Sequence, residues 1–404
     1  MSRDRAGDPN FPADLRIRPS STSKKHFGRS GATSTSTSQA GTSGPVSDTP
    51  EAYWDRDTEQ DIEDYGIAGR IWEAAYLLAL YLRASDEAEF EFDPPCSLFA
   101  PQTHRDGLQC GRFQPVTAVE LGSGAGYGGL HLAQQLKAAR AKASGSDTGE
   151  TRSTLVLTDL ANVVPLMERN VARSGLSDSL AVDVRVCALA WGDETHAKNL
   201  LSSLTSERGG EGSNPISHIV CSDLVYFPEL LPPLLRSLIT LSEPSSAVQT
   251  MQGPELVISY KIRSLVKEQP FWSALGAWYD FRAVDCRRRR QRKPELDRSK
   301  QDAENDKKGP ADYEWHRFGS LPSDHGAPPD DDQELFIFVG QRRPETFGCR
   351  APHTDGELMQ GKLLRRHNDA GPETDGDKWR LELSTSGQDY FEWLLLSGVG
   401  VGLD

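Results

Sequence analysis

The sequence predicts an α/β fold in which a doubly wound sheet of seven strands ends in an antiparallel hairpin. Seven apolar, strand-like runs lie between Val116 and Gly340, and helix-like segments separate the first six. Such alternation gives a parallel sheet. The last two runs are joined without a predicted helix, and strands joined by a loop alone pair antiparallel. In addition, the first run leads into a glycine-rich turn, a feature of sheets that bind nucleotides.

This turn follows a strand predicted over residues 116–121 and precedes a helix that begins at about Tyr127. Because its glycines carry no Cβ, a nucleotide-like group could lie against the backbone. They are Gly122, Gly124 and Gly126. Residues 124–129 match G-x-G-x-x-G, the dinucleotide fingerprint, whereas residues 120–126 read E-L-G-x-G-x-G. The two overlapping patterns favour different cofactors, so the rest of the chain must decide between them.

The first predicted helix covers residues 66–83, where apolar side chains recur at helical spacing on one face and Trp72 lies beside it. The remaining strands are predicted at residues 154–158, 182–189, 217–222, 255–260, 280–285 and 334–340. The remaining helices are predicted at residues 127–141, 162–174 and 265–278, after Pro228 and, as a short segment, at 200–204.

The expected domain covers residues 53–343 and is flanked by two polar extensions. Residues 1–52 predict a disordered tail, because their composition cannot bury enough apolar surface to offset chain entropy. Residues 344–404 are expected to be mostly disordered; their apolar segment, 390–403, either packs on the core or binds a partner. Polar inserts interrupt the domain at residues 144–153, 194–216 and 287–332.

Composition excludes several classes of function. The formal net charge of −14 argues against a general nucleic-acid or membrane-surface binder. The arginine run 287–290 is either a nucleic-acid or nuclear-import patch, or a solvated loop balanced by the acidic residues after it. The cysteines form no C-x-x-C and the histidines lack metal-ligand spacing, so no metal is predicted. Cys187 and Cys221 read as buried thiols of a reducing compartment, which predicts the cytoplasm, or the nucleus.

Acidic residues stand at the carboxyl ends of predicted strands, where open α/β sheets bind ligands. Asp159 ends the second strand and can accept both hydroxyls of a ribose. Glu120 lies at the end of the first strand and either contacts a cofactor or accepts backbone amides in the turn. Asp223 and Tyr226 follow the fourth strand; the structural alternative for them is a helix cap and a core aromatic.

Six motifs resemble, in order, those of the family-16 seven-β-strand lysine methyltransferases of eukaryotes. Each motif is weak by itself, but their shared order over roughly Gly66 to Arg342 is specific. The last motif is in a form similar to fungal members that act on elongation factors. The motifs are G-x-x-G-x-I-W-E-A-A at 66–75, E-L-G-x-G-x-G at 120–126, T-D-L at 158–160, L-A-W-G at 189–192, S-D-L-V-Y at 222–226 and I-S-Y-K-x-R at 258–263.

The resemblance implies the fold of a class I S-adenosylmethionine (AdoMet) methyltransferase, with AdoMet as cofactor. It places Trp191 near adenine. Asp223 and Tyr226 are the predicted catalytic residues: Asp223 orients the cofactor or the substrate amine, and Tyr226 shapes the lysine channel. The predicted cofactor-binding residues are Trp72, Glu120, Gly122, Gly124, Gly126, Asp159, Trp191 and Ser222.

The expected function is therefore AdoMet-dependent methylation of a lysine ε-amine in a protein, with elongation factor 1-alpha as the candidate substrate and the enzyme as a monomer. One alternative is an NAD(P)-dependent oxidoreductase that uses residues 124–129, but it accounts for neither Trp72, Trp191 nor the Asp223-x-x-Tyr226 pair. Another alternative is a catalytically inactive AdoMet-binding fold that acts as an interaction module.

Overall fold

A computed structural model describes most of the predicted domain and parts of both extensions. Within this part of the chain, none of the helices combines the length and the apolar character needed to cross a bilayer. The described residues are 8–12, 15–20, 55–84, 90–99, 115–143, 152–207, 215–244, 253–289, 315–318, 335–366, 379–384 and 391.

The strands and helices are numbered here in chain order. The strands are β1 (Phe90–Asp93), β2 (Thr117–Leu121), β3 (Ser153–Asp159), β4 (Val182–Ala188), β5 (His218–Ser222), β6 (Glu255–Lys261), β7 (Tyr279–Ala283), β8 (Asp285–Arg288), β9 (His316–Arg317), β10 (Leu335–Arg342), β11 (Lys362–Arg366) and β12 (Trp379–Leu383). The α-helices are α1 (Glu59–Tyr65), α2 (Glu73–Tyr81), α3 (Tyr127–Ala143), α4 (Val164–Arg173), α5 (Glu194–Glu207), α6 (Leu231–Leu241), α7 (Leu265–Trp278) and α8 (Asp355–Met359).

The central sheet confirms the predicted fold class. Its seven strands are ordered β4-β3-β2-β5-β6-β10-β7, and the first five are mutually parallel. Strand β10 inserts between β6 and β7 and pairs antiparallel with both. The sheet is buried on both faces: α5, α6 and α7 pack on one side, and α2, α3 and α4 pack on the other. This is the seven-stranded, mainly parallel arrangement of a class I methyltransferase fold.

The helix predicted over residues 66–83 is broken in two. Residues Gly66–Gly69 form a 3₁₀ turn, Trp72 is extended at φ −85° and ψ 157°, and α2 begins only at Glu73. A Cβ on Gly69 would lie 2.1 Å from the carbonyl oxygen of Asp61, so the turn is pressed against α1. The prediction was also wrong about amphipathicity, because α2 is buried on nearly all sides between the sheet and its neighbouring helices.

Two of the polar inserts contain regular structure. Helix α5 occupies much of the insert 194–216 and buries Ala197, Leu200 and Leu204, so the predicted short helix at 200–204 is longer at both ends. The single strand predicted at 280–285 is divided, because β8 leaves the central sheet to pair with β1 and β9. The insert 144–153 lies mostly outside the described residues.

The arginine run 287–290 is partly described, and its first residue is engaged within the fold. Arg287 forms an ion pair with Glu91 at 2.6 Å, and its Cζ lies 4.6 Å from the ring centre of Trp315. Arg290 and most of the insert 287–332 lie outside the described residues. Neither predicted role, a nucleic-acid or nuclear-import patch or a solvated loop, anticipates these contacts of Arg287 within the fold.

Both extensions contain segments that pack on the domain. In the predicted disordered tail, Asn10 and Ser20 are almost fully buried. After residue 343, α8 and the hairpin β11–β12 follow the domain. Phe391 belongs to the apolar segment whose partner was left open, and it stacks on Trp272 at 4.9 Å in the core. The other residues of 390–403 lie outside the described residues.

Candidate active site

A cavity of about 480 Å³ opens at the carboxyl ends of the parallel strands. It lies where the strand order reverses, between β2 and β5, which is where open α/β sheets bind ligands. Nine of the ten predicted site residues line it. The exception is Gly126, whose Cβ position faces Leu157 of β3 at 3.2 Å instead.

The glycine turn has the conformation that its sequence requires. Gly122, Gly124 and Gly126 have φ values of 57°, 53° and 78°, a region that residues with a Cβ rarely adopt. At Gly124, a Cβ would also lie 2.9 Å from the carbonyl oxygen of Ala68. The turn is therefore held between the sheet and the 3₁₀ segment before Trp72, with its backbone open to the cavity.

Glu120 is fully buried, and its carboxylate faces the first turn of α3. A Cβ on Gly128 would lie 2.6 Å from Oε1, and one on Gly129 would lie 2.7 Å from Oε2. The last glycine of the G-x-G-x-x-G pattern thus makes room for a carboxylate of the same chain. Burial raises the pKa of Glu120 to about 7. Glu120 also borders the cavity, and its contact with a cofactor stays a prediction.

Asp159 joins the end of β3 to the glycine turn. Its Oδ2 accepts a hydrogen bond from the Gly124 amide at 2.8 Å, and its Oδ1 accepts one from the Leu160 amide at 2.7 Å. Burial raises the pKa of this carboxyl to about 6, although both hydrogen bonds oppose the shift. Each oxygen keeps a lone pair for a further donor, such as a ribose hydroxyl.

Trp191, between β4 and α5, lies against the glycine turn at Gly122. A Cβ on Gly122 would be only 2.7 Å from its Cζ2. Its ring meets that of Tyr226 edge to face, with ring centres 6.5 Å apart. Trp191 therefore provides a flat apolar wall beside the turn, a surface on which an adenine ring could stack.

Trp72 forms a second aromatic wall and is held by polar contacts. Its Nε1 donates to the carbonyl oxygen of Ile67 at 3.0 Å. The guanidinium carbons of Arg70 and Arg263 lie 4.3 and 5.5 Å from its ring centre. Cations over an indole face are attracted by its electron-rich surface. Trp72 thus connects the entry to α2 with the loop that follows β6.

Asp223 follows β5 in a strained backbone conformation, and its side chain forms an ion pair. It is the one non-glycine residue with positive φ, 60°, in the part of the chain that the structure describes. Its side chain is 0% exposed, and its two carboxylate oxygens accept hydrogen bonds from Arg263 at 2.8 and 2.6 Å. Each oxygen keeps a further lone pair, as at Asp159, so an additional donor would bind beside Arg263.

Tyr226 lies beside this ion pair on the same wall of the cavity. Its ring contacts that of Phe227, with centres 4.9 Å apart. Burial, together with the negative charges of Asp159 and Asp223, raises the pKa of its phenol above the ordinary value. The phenol of Tyr226 therefore stays neutral at physiological pH, and its ring and hydroxyl border the cavity.

Glu268 of α7 fixes the loop that carries Arg263. This nearly fully buried carboxylate accepts hydrogen bonds from the Tyr260 hydroxyl at 2.5 Å and from the amides of Arg263 and Ser264 at 3.3 and 3.1 Å. Sequence reasoning missed both Arg263 and Glu268 as site residues. A charged residue directly after a strand that ends beside Asp223 was the available signal for Arg263.

The cavity has the donors and acceptors that AdoMet would need. Asp159 can accept the ribose hydroxyls, and Arg70 and Lys267 suit the carboxylate of AdoMet. The buried Oγ of Ser222 has no hydrogen-bond partner, so it can serve a ligand. The residues present therefore fit this cofactor. Among the described residues, no group of His, Cys, Asp or Glu is placed to hold a metal ion.

Comparison with known proteins supports the same identification. Over 204 residues, which cover 50% of this chain and 68% of the relative, the sequence is 24% identical to the protein-lysine N-methyltransferase EFM6 of Saccharomyces cerevisiae. The profile of methyltransferase family 16, described as lysine methyltransferase, matches residues 55–277, more than half of the chain. The chain belongs to this family of AdoMet-dependent lysine methyltransferases.

Proposed function

We propose that the protein methylates a lysine of a translation elongation factor, with elongation factor 1-alpha as the first candidate. Protein-lysine methylation follows from the family; the substrate is the part proposed here. Its support is the I-S-Y-K-x-R segment at 258–263, whose form is similar to elongation-factor-directed fungal members, together with the similarity to a yeast protein-lysine N-methyltransferase.

The observation that carries the catalytic assignment is the arrangement after β5. The buried Asp223–Arg263 ion pair and the neutral ring of Tyr226 stand side by side on one wall of the cavity. AdoMet, when bound, supplies an electrophilic methyl group on a sulfonium. The chain's own task is to bring a lysine nitrogen to that methyl group in line and without its proton.

Tyr226 and Phe227 can perform the first part of this task. Their rings border the cavity and would enclose the apolar stem of a lysine, which limits the directions in which its nitrogen can approach. Positioning of this kind contributes several kcal/mol to the lowering of a barrier. An aromatic, dehydrated channel also disfavours the ammonium form and so lowers the lysine pKa from its usual value of about 10.4.

Asp223 acts within its pair with Arg263. The carboxylate is already neutralised by a guanidinium, so we assign it an electrostatic and orienting role toward the amine or the cofactor. On the cofactor side, we assign the ribose to Asp159, the adenine wall to Trp191, the opposite wall to Trp72 and a hydrogen bond to Ser222. Glu120 and the glycines shape the turn on which these contacts depend.

Transfer of a labelled methyl group to a defined protein tests the proposal. The purified chain would be incubated with methyl-labelled AdoMet and lysate of cells that lack it, beside the Asp159→Ala variant. The expected result is one labelled band at the size of an elongation factor, absent with the variant, with a methylated lysine found by mass spectrometry. Labelling of a different protein would overturn the substrate, and AdoMet binding without labelled protein would overturn the lysine activity.

Two further expectations follow from this proposal. An elongation-factor substrate places the enzyme in the cytoplasm, which fractionation of cells would test. The cavity at the carboxyl ends of the strands contains both proposed half-sites within one chain, so we expect a functional monomer. Light scattering of the active fraction would contradict this if it gave a dimer.

A further inference from the structure

Residues 8–12 and 15–20, here called the N-terminal strap, lie on the wall of the cavity. Pro9, Asn10 and Leu15 all border it. The strap precedes the part of the chain matched by the family, residues 55–277, so it lies outside the matched domain. The composition of residues 1–52 predicted disorder for it.

Specific hydrogen bonds fix the strap at both ends. The Ile67 amide donates to the carbonyl oxygen of Asn10 at 2.9 Å, within the 3₁₀ segment before Trp72. At the other end, the Ser20 amide and Oγ each donate to Asp57 at 2.8 Å, and Oγ also lies 2.6 Å from the hydroxyl of Tyr76. The strap is thus attached to the helices that surround the glycine turn.

Asn10 has an unused hydrogen-bond donor in this position. The residue is only 6% exposed, yet its side-chain nitrogen Nδ2 has no partner. A buried amide nitrogen without an acceptor is costly, and such groups in folded proteins are almost always paired. Its backbone amide, in contrast, is used, because it donates to Asp8 Oδ1 at 2.9 Å. Asn10 is one of the residues that border the cavity proposed for AdoMet.

We infer that the Asn10 side chain donates a hydrogen bond to an oxygen or nitrogen acceptor of bound AdoMet, which makes the strap part of the cofactor site. The inference rests on the proposed use of this cavity by AdoMet. It explains why a buried donor is kept unpaired in the free chain: the ligand provides its acceptor. The strap then adds affinity that the shared family domain alone does not have.

Two substitutions remove the donor while they keep the volume of the side chain. Asn10→Leu is apolar and Asn10→Asp has the shape of Asn without the N–H. The full chain and each variant would be titrated with AdoMet by calorimetry, and the ligand-free melting temperature would be measured in parallel. Asn162→Ala is the matched control, because it removes an exposed contact with Asp8 at 3.2 Å outside the cavity.

The expected result is AdoMet binding about tenfold weaker in both Asn10 variants and unchanged in Asn162→Ala. The ligand-free Asn10→Leu protein should melt at the same or a higher temperature, because an unsatisfied buried donor has been removed; a merely structural role would lower it. The same titrations with 5′-methylthioadenosine locate the acceptor: an equal loss indicates the nucleoside, and no loss indicates the amino-acid end.

Affinities within twofold of the unsubstituted chain in both variants would overturn the inference while leaving the proposed function intact. If the unsubstituted chain itself failed to bind AdoMet, the proposed function and this inference would both be wrong. Should Asn10→Leu not fold, Asn10→Asp alone decides, with the Asn162→Ala chain as its reference.

Discussion

The two halves of the cavity are stabilised by different kinds of interaction. On the β2–β3 side, the proposed cofactor half is held by backbone geometry: left-handed glycines and amides that donate to Asp159. On the β5–β6 side, the proposed substrate half depends on a side-chain ion pair between residues 40 positions apart, Asp223 and Arg263. The Glu268 carboxylate adds hydrogen bonds from amides of the adjacent loop.

Because of this difference, the two halves should tolerate different amino-acid substitutions. A turn built from the backbone is specified by a few adjacent residues. A wall built from side-chain pairs can change with the substrate while the turn stays the same. We therefore expect substitutions in the cofactor half to abolish binding and those in the substrate half to affect transfer or stability.

The largest expected effect is on stability, in the substrate half. Arg263→Met would leave Asp223 buried and unpaired, which should lower the free energy of unfolding by about 3–5 kcal/mol. Arg282→Met is the matched control, since its 3.7 Å pair with Asp93 is exposed and should contribute less than about 1 kcal/mol. Urea unfolding monitored by circular dichroism measures both. Equal losses in the two variants would mean that the buried pair stabilises the fold no more than the exposed pair does.

The next largest expected effect is on AdoMet affinity, in the cofactor half. Asp159→Ala removes the proposed acceptor of the ribose hydroxyls and releases two amides of the turn, so AdoMet affinity should fall by about 100-fold or more. Calorimetric titration checks this against the exposed control Asp178→Ala, which should bind like the unsubstituted protein. Retained affinity in Asp159→Ala would contradict the assignment of Asp159 and the glycine turn to AdoMet binding.

Substitution of Tyr226 should lower the rate of methyl transfer while AdoMet affinity is kept. Tyr226→Ala opens the wall of the proposed lysine channel, and the rate constant kcat should fall by about 50-fold because the amine would no longer be positioned. AdoMet affinity should stay within threefold. Tyr226→Phe keeps the ring and should retain most activity, since the phenol is neutral and is not used as a base. Similar losses in Phe and Ala variants would instead assign the function to the hydroxyl.

The smallest effect concerns pH and the buried acid of the cofactor half. The folded pKa of Glu120, about 7, is above its ordinary value of 4.5, so its stabilisation is complete below pH 4.5 and is lost as the pH rises through 7. Stability of the ligand-free chain should fall by roughly 2 kcal/mol between pH 5 and 7 from this group. Asp159 adds to the fall through its raised pKa of about 6.

Glu120→Gln should flatten this pH dependence, whereas Glu168→Gln, on the exposed side of α4, should leave it unchanged. Melting temperatures between pH 5 and 8 measure the slopes. An identical slope in the Glu120→Gln chain would show that Glu120 ionises normally and that its burial is not complete in solution.

The two halves of the cavity also differ in how far the sequence predicts them. The glycine turn, Asp159 and the position of Asp223 were predictable, because strand periodicity and a short glycine pattern place them at one edge of the sheet. Arg263 was found only as part of a motif, since its pairing with Asp223 joins residues 40 positions apart. No periodicity marks such a contact.

The elements that sequence reasoning missed share a second cause. The strap is fixed by a few hydrogen bonds at Asn10 and Ser20 and shows no apolar pattern, so composition alone predicted disorder. The break before α2 depends on the close approach of Gly69 to α1. Burial on all sides gave this helix an apolar spacing that also fits a longer amphipathic helix.

The most direct test of the two-half account is to measure AdoMet affinity and methyl transfer together in three proteins: the unsubstituted chain, Asp159→Ala and Tyr226→Ala. The account predicts that Asp159→Ala loses both, whereas Tyr226→Ala binds AdoMet normally and loses transfer to the protein substrate. If Tyr226→Ala lost AdoMet binding as completely as Asp159→Ala, the cavity would be a single cofactor site without a separate lysine channel, and the account would be wrong.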